Sequence, residues 1–231
     1  MPPAASIIIP AYNEEKRIGE LLVQMPGTTS EYIVVCDGTD ITPAIVKTFS
    51  TTYPDIDLIC LTYSQRLGKG GAIREGFGRA SAPIVGYMDA DGSTTISQMQ
   101  DLIARVDDAD AIIGSRWLPD SNIPVHQGIP RQFESRVFNL LVRFLFSLPY
   151  SDTQCGAKVF KKAAIDSVIG DIVSTGFEFD VELLWKLSRR EFRIRECPIT
   201  WQNKGASRVK GTDIFQMLST LIALRMGGAG R

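Results

Sequence analysis

The chain has 231 residues, 44% apolar and 22% charged, a balance that excludes a disordered polypeptide and suits a globular α/β protein. Its net charge of −1 hides an asymmetry: residues 1–115 carry 15 acidic and 8 basic side chains, residues 116–231 carry 11 acidic and 17 basic ones. The first half therefore suits a cation and the second an anionic ligand or surface.

The elements follow in chain order. Ser6 to Pro10 is a short apolar run that reads as a buried strand, after which Asn13 is placed to cap a helix with Ile18, Leu21 and Leu22 on its apolar face. Strands are expected at Tyr32–Cys36, Leu58–Leu61, Pro83–Met88 and Ala111–Gly114. Helices are expected from Thr42-Pro43 onward, over Lys69–Arg79 and over Ile96–Val106. Such alternation predicts a parallel sheet covered on both faces, with ligands at the carboxyl ends of its strands. Beyond residue 115 the pattern predicts a long helix from Arg131 to Leu148, helices at Ala163–Ile169 and Asp180–Arg189, and a strand from Phe192 to Trp201 interrupted at Pro198. A polar, basic, mobile loop follows at Asn203–Gly211, and a final amphipathic helix at Asp213–Met226. The uncharged stretch Ile214 to Leu224 is eleven residues, short of the about 20 that a membrane-spanning helix needs. The N-terminus lacks a basic region and runs straight into a strand, so no signal peptide is expected. Cys36, Cys60, Cys155 and Cys197 lack metal or redox spacing and read as reduced core residues. His126, the lone histidine, reads as a surface residue, and no Gly-x-Ser-x-Gly elbow supports a serine triad.

Three acidic segments fall just after strands and so on one rim of the sheet: Pro10-Ala11-Tyr12-Asn13-Glu14, Asp37-Gly38-Thr39-Asp40 and Asp89-Ala90-Asp91-Gly92. Singly, each carboxylate reads as a turn former. Together they place Glu14, Asp37, Asp89 and Asp91 around one cleft. Asp89 and Asp91, two residues apart on a strand end, suit one hard divalent cation, Mg²⁺ or Mn²⁺, whose shell is completed by water and phosphate oxygens. Gly68-Lys69-Gly70-Gly71-Ala72 opens a helix and reads either as an anion site at a helix N-terminus or as close helix–sheet packing. It is not a phosphate-binding P-loop.

These segments, in this order and spacing, resemble the inverting family 2 glycosyltransferases with a GT-A fold. Gly114-Ser115-Arg116, Arg131 to Arg136, Asp152-Thr153-Gln154-Cys155-Gly156 and Phe179 to Leu184 resemble the polyprenyl-phosphate branch of that family. Within it the dolichyl-phosphate glucosyltransferases are nearer and the dolichol-phosphate mannose synthases more distant. The resemblance implies a Rossmann-like, mostly parallel sheet flanked by helices with a C-terminal acceptor-binding elaboration. It implies a single domain over residues 5–210, with a donor half (5–115), an acceptor half (116–210) and an amphipathic helix in 211–231. The sequence departs from the family's pattern at three places: Cys36 stands where a first aspartate is usual, the segment after Asp37 is short, and Ser93 stands where the mannose synthases carry glutamine. A Gln-x-x-Arg-Trp motif is absent, which argues against processive polymer synthesis.

The implied reaction is transfer of a sugar from a nucleotide-diphosphate sugar to a polyprenyl (dolichyl) phosphate. The donor would contact Pro10, Tyr12, Glu14, Asp37, Lys69, Ala90 and the metal at Asp89 and Asp91, with Glu14 and Asp37 on ribose and base. The acceptor phosphate is already anionic and needs cationic positioning rather than a general base. Arg116, Arg131 and Arg136, with Ser135 as a donor, supply it. Asp180 has two readings, as a helix cap or as a contact to sugar hydroxyls. Lys204, Arg208 and Lys210 lie on a loop suited to close over the diphosphate. The implied setting is the cytoplasmic face of a membrane, touched peripherally through Phe138, Leu141, Phe144, Leu145, Phe146 and Leu148 beside Arg131, Arg136 and Arg143, and through the last helix. Packing of both helices on the core is the alternative. No nucleic-acid partner is expected. Competing functions are a glycosyltransferase with a soluble acceptor, a sugar nucleotidyltransferase, and a silent subunit that binds nucleotide sugar or lipid.

Overall fold

A computed structural model describes residues 2–125, 129–202, 204 and 211–227; side chains are described at all of these except 125, 129–135, 137 and 211–216. The chain alternates strand and helix through its first half: β1 (Ser6–Ala11), α1 (Ile18–Leu22), β2 (Glu31–Cys36), α2 (Thr42–Thr52), β3 (Leu58–Thr62), α3 (Gly68–Arg79), β4 (Ile84–Tyr87), α4 (Ile96–Ile103) and β5 (Ala111–Ser115). It continues with β6 (Asn122–Val125), α5 (Ile129–Phe146), β7 (Lys158–Lys161), α6 (Lys162–Val168), a 3₁₀ turn (Ile169–Asp171), α7 (Phe179–Arg189), β8 (Ile194–Pro198), β9 (Thr200–Gln202) and α8 (Gly211–Arg225).

Seven strands form one sheet in the order β3-β2-β1-β4-β7-β5-β8, and β6 pairs with β9 beside it. All strands of the large sheet run the same way except β7, which is antiparallel to both β4 and β5. The expected mostly parallel sheet is therefore present. Strands β6 and β7 were not legible as strands: each is four residues long, and β7 reads Lys-Val-Phe-Lys, without the apolar run of its neighbours.

The sheet is covered on both faces, and the strand pattern shows why. In β1, Ile7 and Ile9 enter one core while Ile8 enters the other, and β2 divides likewise, with Tyr32, Val34 and Cys36 on one face and Ile33 and Val35 on the other. Each fully buried isoleucine contributes about 1.5–3 kcal/mol, so the interior of β1 and β2 dominates any single polar contact on the rim. A third cluster joins Ile113 to Phe138, Val142 and Phe146 of α5, Leu184 of α7 and Leu221 and Leu224 of α8. Pro10 costs the sheet no ladder bond. The Ile8 carbonyl accepts from Met88 N, and Pro10, two residues on, faces the same side beyond the last pair of β1 with β4. The β1–β4 ladder therefore ends at Ile8 and Tyr87, with Met88 N closing its last bond.

The first helix begins later than expected. Asn13 has a positive φ of 51° and caps no helix; α1 starts at Ile18 with Arg17 at its N-cap. The Asn13 side chain instead accepts from Thr39 N at 2.8 Å and Asp40 N at 3.2 Å, tying the β1–α1 loop to the β2–α2 loop. Asparagine tolerates this backbone region better than most residues. The polar loop expected at 203–211, with His126, falls outside the described residues except at Lys204 and the backbone of Gly211.

Candidate active site

The carboxyl ends of β1, β2, β4 and β5 share one rim, and the antiparallel β7 brings its first residue, Lys158, to the same rim beside Tyr87. Five strands thus deliver the candidate residues to one edge of the sheet.

On the β1–β2 side, Tyr12 lies under the Arg66 guanidinium, 3.9 Å from its ring centre, a cation–π contact that no sequence motif announced. The buried Glu14 carboxylate is gripped by Arg17 Nε at 2.8 Å and by its terminal nitrogen at 2.7 Å. Glu14 N donates to Thr42 Oγ1, at the start of α2. Asp37, also buried, accepts from the backbone N–H groups of Leu67 (2.9 Å) and Gly68 (3.1 Å), so it fixes the loop that leads into α3.

That contact, with another, decides between the two readings of the glycine-rich segment. The Gly70 and Gly71 N–H groups both donate to the Thr175 carbonyl, and a Cβ on Gly70 would fall 2.6 Å from Phe179 Cβ. The backbone donors of Gly68, Gly70 and Gly71 are engaged within the protein, and the glycines let α3 approach α7. Close packing is the observed role. The other reading, a backbone anion site, is not formed, and the segment's contribution to the cleft is the Lys69 side chain.

Lys69 Nζ lies 3.0 Å from Asp89 Oδ1 and 3.3 Å from Asp180 Oδ2. Burial alone would lower its pKa, but Asp180 and Asp89 outweigh this and hold it above the usual lysine range. Asp180 is neither a helix cap nor open to the cleft. Glu178 occupies the N-cap of α7, and Asp180 is buried in the first turn, held by Lys158, by Tyr87 Oη at 2.5 Å and by Lys69. Burial pushes its carboxyl upward, yet Lys158 and then Lys69 overcome this and keep it below the usual range. A carboxylate so engaged does not serve as a general base.

Asp89 follows β4 with its side chain 38% exposed. Ala90 is buried beneath the turn, and Asp91 Oδ1 accepts from Ser93 N (2.9 Å) and Ser93 Oγ (2.5 Å). Gly92 takes φ 73°, and a Cβ there would lie 3.8 Å from Lys204 Cε, so Lys204 crosses this turn while its Nζ pairs with Glu20 at 3.3 Å. The two aspartates fit a hard divalent cation. Lys69 already stands as a cation on Asp89, and the described residues contain no group of three or more acidic, His or Cys side chains that would complete a protein-only cage. An ion held by Asp89 and Asp91 would take its other ligands from water and phosphate, as Mg²⁺ and Mn²⁺ do.

On the β5 side, Arg116 is clamped by Asp152. Its N and Nε reach Asp152 Oδ2 at 3.0 and 2.7 Å and its terminal nitrogen reaches Oδ1 at 3.0 Å. The guanidinium also faces Trp201 and Trp117, at 5.4 and 5.9 Å, and Arg136 of α5 lies 4.8 Å from the Trp117 ring centre. Arg116 and Arg136 therefore flank one indole. The Arg131 and Ser135 side chains are not described, and Arg208 lies outside the described residues.

Sequence reasoning missed Arg66, Asp152 as the Arg116 partner, and Lys158. Lys158 left one legible sign, a lysine directly before the apolar pair Val159-Phe160.

Comparison with known proteins accords with this geometry. Residues 6–169 match the Glycosyl transferase family 2 family. The chain is 34% identical to glycosyltransferase AglD of Haloferax volcanii over 218 residues, 88% of this chain but only 34% of AglD, so it spans about a third of that relative. It is 30% identical to the dolichyl-phosphate beta-glucosyltransferase of Saccharomyces cerevisiae over 249 residues, 96% of this chain and 74% of the yeast protein. Glucosyl-3-phosphoglycerate synthase from Mycobacterium tuberculosis, solved with Mn²⁺, UDP and glucosyl-3-phosphoglycerate, superposes with a TM-score of 0.71 at 17% identity, covering 99% of this chain and 80% of that one. The mannosyltransferase PcManGT from Pyrobaculum calidifontis, solved with GDP-Man and Mn²⁺, gives 0.65 at 20% identity over 99% and 64%. At these identities the two structures establish the shared GT-A fold.

Proposed function

Since the chain belongs to glycosyltransferase family 2, we propose that it transfers a sugar from a nucleotide-diphosphate sugar to a polyprenyl phosphate such as dolichyl phosphate, with inversion and with Mg²⁺ or Mn²⁺ bound. One observation carries this reading. A carboxylate turn with a lysine on it ends β4, an arginine–tryptophan cluster ends β5, and only β7 separates them. Two strand spacings put the clusters about 10 Å apart, a span suited to a donor diphosphate at one end and an acceptor phosphate at the other.

The residues divide the work. Asp89 and Asp91 would hold a divalent cation, which when bound would supply Lewis-acid neutralisation of a diphosphate leaving group. Lys69 offers an ammonium to the same oxygens, and Tyr12, Glu14 and Asp37 shape the end of the cleft that takes ribose and base. Arg136, and Arg131 on the same helix, meet the acceptor phosphate. Arg116, whose charge Asp152 already compensates, orients the cluster through Trp117 and Trp201. The acceptor oxygen is anionic near neutral pH and attacks without a base, which accords with an Asp180 that is fully engaged.

The acceptor's tail lies in a bilayer, so the cleft must reach the headgroups. Among the described residues no helix is long and apolar enough to span a membrane. The structure corrects the expected apolar face: Phe138 and Phe146 of α5 and Leu148 just beyond it are buried in the core, while Leu140, Leu141 and Phe144 are exposed. Arg136, Leu140, Arg143 and Phe144, all exposed, share one face at helical spacing. On α8, Leu221 and Leu224 are buried, and Ile222 stays exposed. A mixed arginine and apolar face supports peripheral contact with anionic lipid at the cytoplasmic face.

The deciding experiment offers radiolabelled UDP-glucose and GDP-mannose with a polyprenyl phosphate and Mn²⁺, and measures label extracted into organic solvent. Label in the organic phase that depends on both metal and polyprenyl phosphate is the expected result. Transfer only to water-soluble acceptors rejects the polyprenyl reading.

A further inference from the structure

Beneath the Asp89–Asp91 turn lies a lysine to which the transfer reaction assigns no role. Lys158 opens β7, and because β7 runs against its neighbours, that first residue sits at the rim, paired with Tyr87. Its side chain is completely buried. An ammonium removed from water is tolerated only when a counter-charge and hydrogen bonds replace the lost solvation. Lys158 Nζ has both: the Asp180 carboxylate and the Cys155 carbonyl, the latter at 2.5 Å. Asp180 is shared with Lys69, and Lys69 is shared with Asp89. The four charges alternate in sign from the interior outward: Lys158, Asp180, Lys69, Asp89. They cancel in number. Side-chain exposure rises along the same path, from 0% at Lys158 through 2% and 11% to 38% at Asp89. Only the last member meets the cleft openly.

A structural lysine needs one carboxylate and no connection to the site. This one ends on a carboxylate whose other oxygen holds the cleft's own lysine. We propose that Lys158 is a positioning residue for the donor site, acting through Asp180 to hold Lys69 at Asp89 and to set the charge that a metal ion and a diphosphate meet there. The inference rests on the donor-site reading above and deepens it.

The sign of the effect follows from the alternation. Without the Lys158 charge, Asp180 draws Lys69 inward and the cleft gains one net negative charge. A cation should then bind more tightly and a metal-free polyphosphate anion less tightly, each by about ten-fold for a unit charge this near in a medium of low effective dielectric. Damage to the fold has no such sign, because it weakens both ligands.

The test is titration calorimetry with two probes used singly, Mn²⁺ alone and inorganic pyrophosphate in chelator, on the whole chain. Lys158→Met is expected to tighten Mn²⁺ and weaken pyrophosphate, with Lys158→Gln serving the same purpose if the methionine variant does not fold. The double variant Lys158→Met/Asp180→Asn removes a charge of each sign and should return both affinities to within about three-fold of the original chain. In transfer assays at saturating Mn²⁺ the donor KM should rise with the loss of pyrophosphate affinity, while the acceptor KM stays fixed. Shifts of the same sign for both probes, or a double variant no closer to the original than the single one, overturn the proposal. If the original chain binds Mn²⁺ and the variants bind it identically, the positioning role alone falls. If the original chain binds no Mn²⁺, the donor-site reading falls with it.

Discussion

Gly156 is the wall against which Asp89 rests: a Cβ on it would lie 1.9 Å from Asp89 Oδ2 and 2.3 Å from Cγ. The segment before β7 therefore fixes the position of a carboxylate that belongs to a different strand. Gly156→Ala must push the Asp89 side chain away. A displacement on the order of 1 Å can cost about 100-fold in rate, and that loss is the expected outcome in sugar transfer at saturating Mn²⁺. Circular dichroism and the melting curve should stay close to the original, since the clash lies at the open rim. A variant with normal turnover shows that Asp89 is not held by this contact.

Asp91→Asn is expected to reduce transfer by about 100-fold or more, because a carboxylate proposed to hold the cation would become a neutral amide and the diphosphate charge would go unscreened. Ser93 can still hydrogen bond to the amide oxygen, so the turn should persist. Near-normal turnover with an unchanged dependence on Mn²⁺ concentration removes Asp91 from the metal site.

The Arg116–Asp152 pair predicts a pH effect on stability. Burial would raise the Asp152 pKa, but Arg116 more than compensates and holds it below its ordinary value. A carboxyl depressed in the folded state stabilises the protein above its unfolded pKa, about 3.9. That contribution is lost as pH falls through the lower folded value. Breaking a buried pair by removing one partner costs about 3–5 kcal/mol. Asp152→Asn should therefore lower the urea midpoint markedly at pH 7, and its midpoint should change less between pH 5 and 3 than that of the original chain. Parallel loss in both proteins over that range places the acid sensitivity elsewhere.

The sheet was readable from sequence where the chain wrote it as local pattern. Runs such as Ile7-Ile8-Ile9 and Ile33-Val34-Val35 are apolar on both faces, and only a covered parallel sheet buries both. The rim carboxylates were readable for the same reason, since each follows such a run. The partners were not. Asp152 lies 36 residues from Arg116, and Lys158 lies 22 from Asp180. No local rule links them, because the antiparallel insertion of β7 between β4 and β5 creates the proximity. Asn13 was misread for a related reason: its sequence context suits a helix cap, but its oxygen finds two N–H groups on another loop.

The side of α5 proposed to meet the membrane gives the last prediction. The periodic apolar residues of this helix serve two masters. Phe138, Val142 and Phe146 recur at i, i+4 and i+8 and fill the third core cluster. Leu140 is 65% and Phe144 84% exposed, four residues apart on the opposite face. Exposed apolar residues of this size carry little folding energy, so their replacement should leave stability within about 0.5 kcal/mol. Leu140→Ser/Phe144→Ser is therefore expected to remain folded and to lose sedimentation with vesicles that contain anionic lipid. Binding by the original chain should weaken as salt rises, because Arg136 and Arg143 on the same face contribute about 1 kcal/mol each near an anionic surface. Arg143→Glu should weaken vesicle binding while leaving transfer to a short, detergent-soluble polyprenyl phosphate intact. Equal sedimentation of the serine variant and the original chain, at every salt concentration, moves the membrane contact off α5.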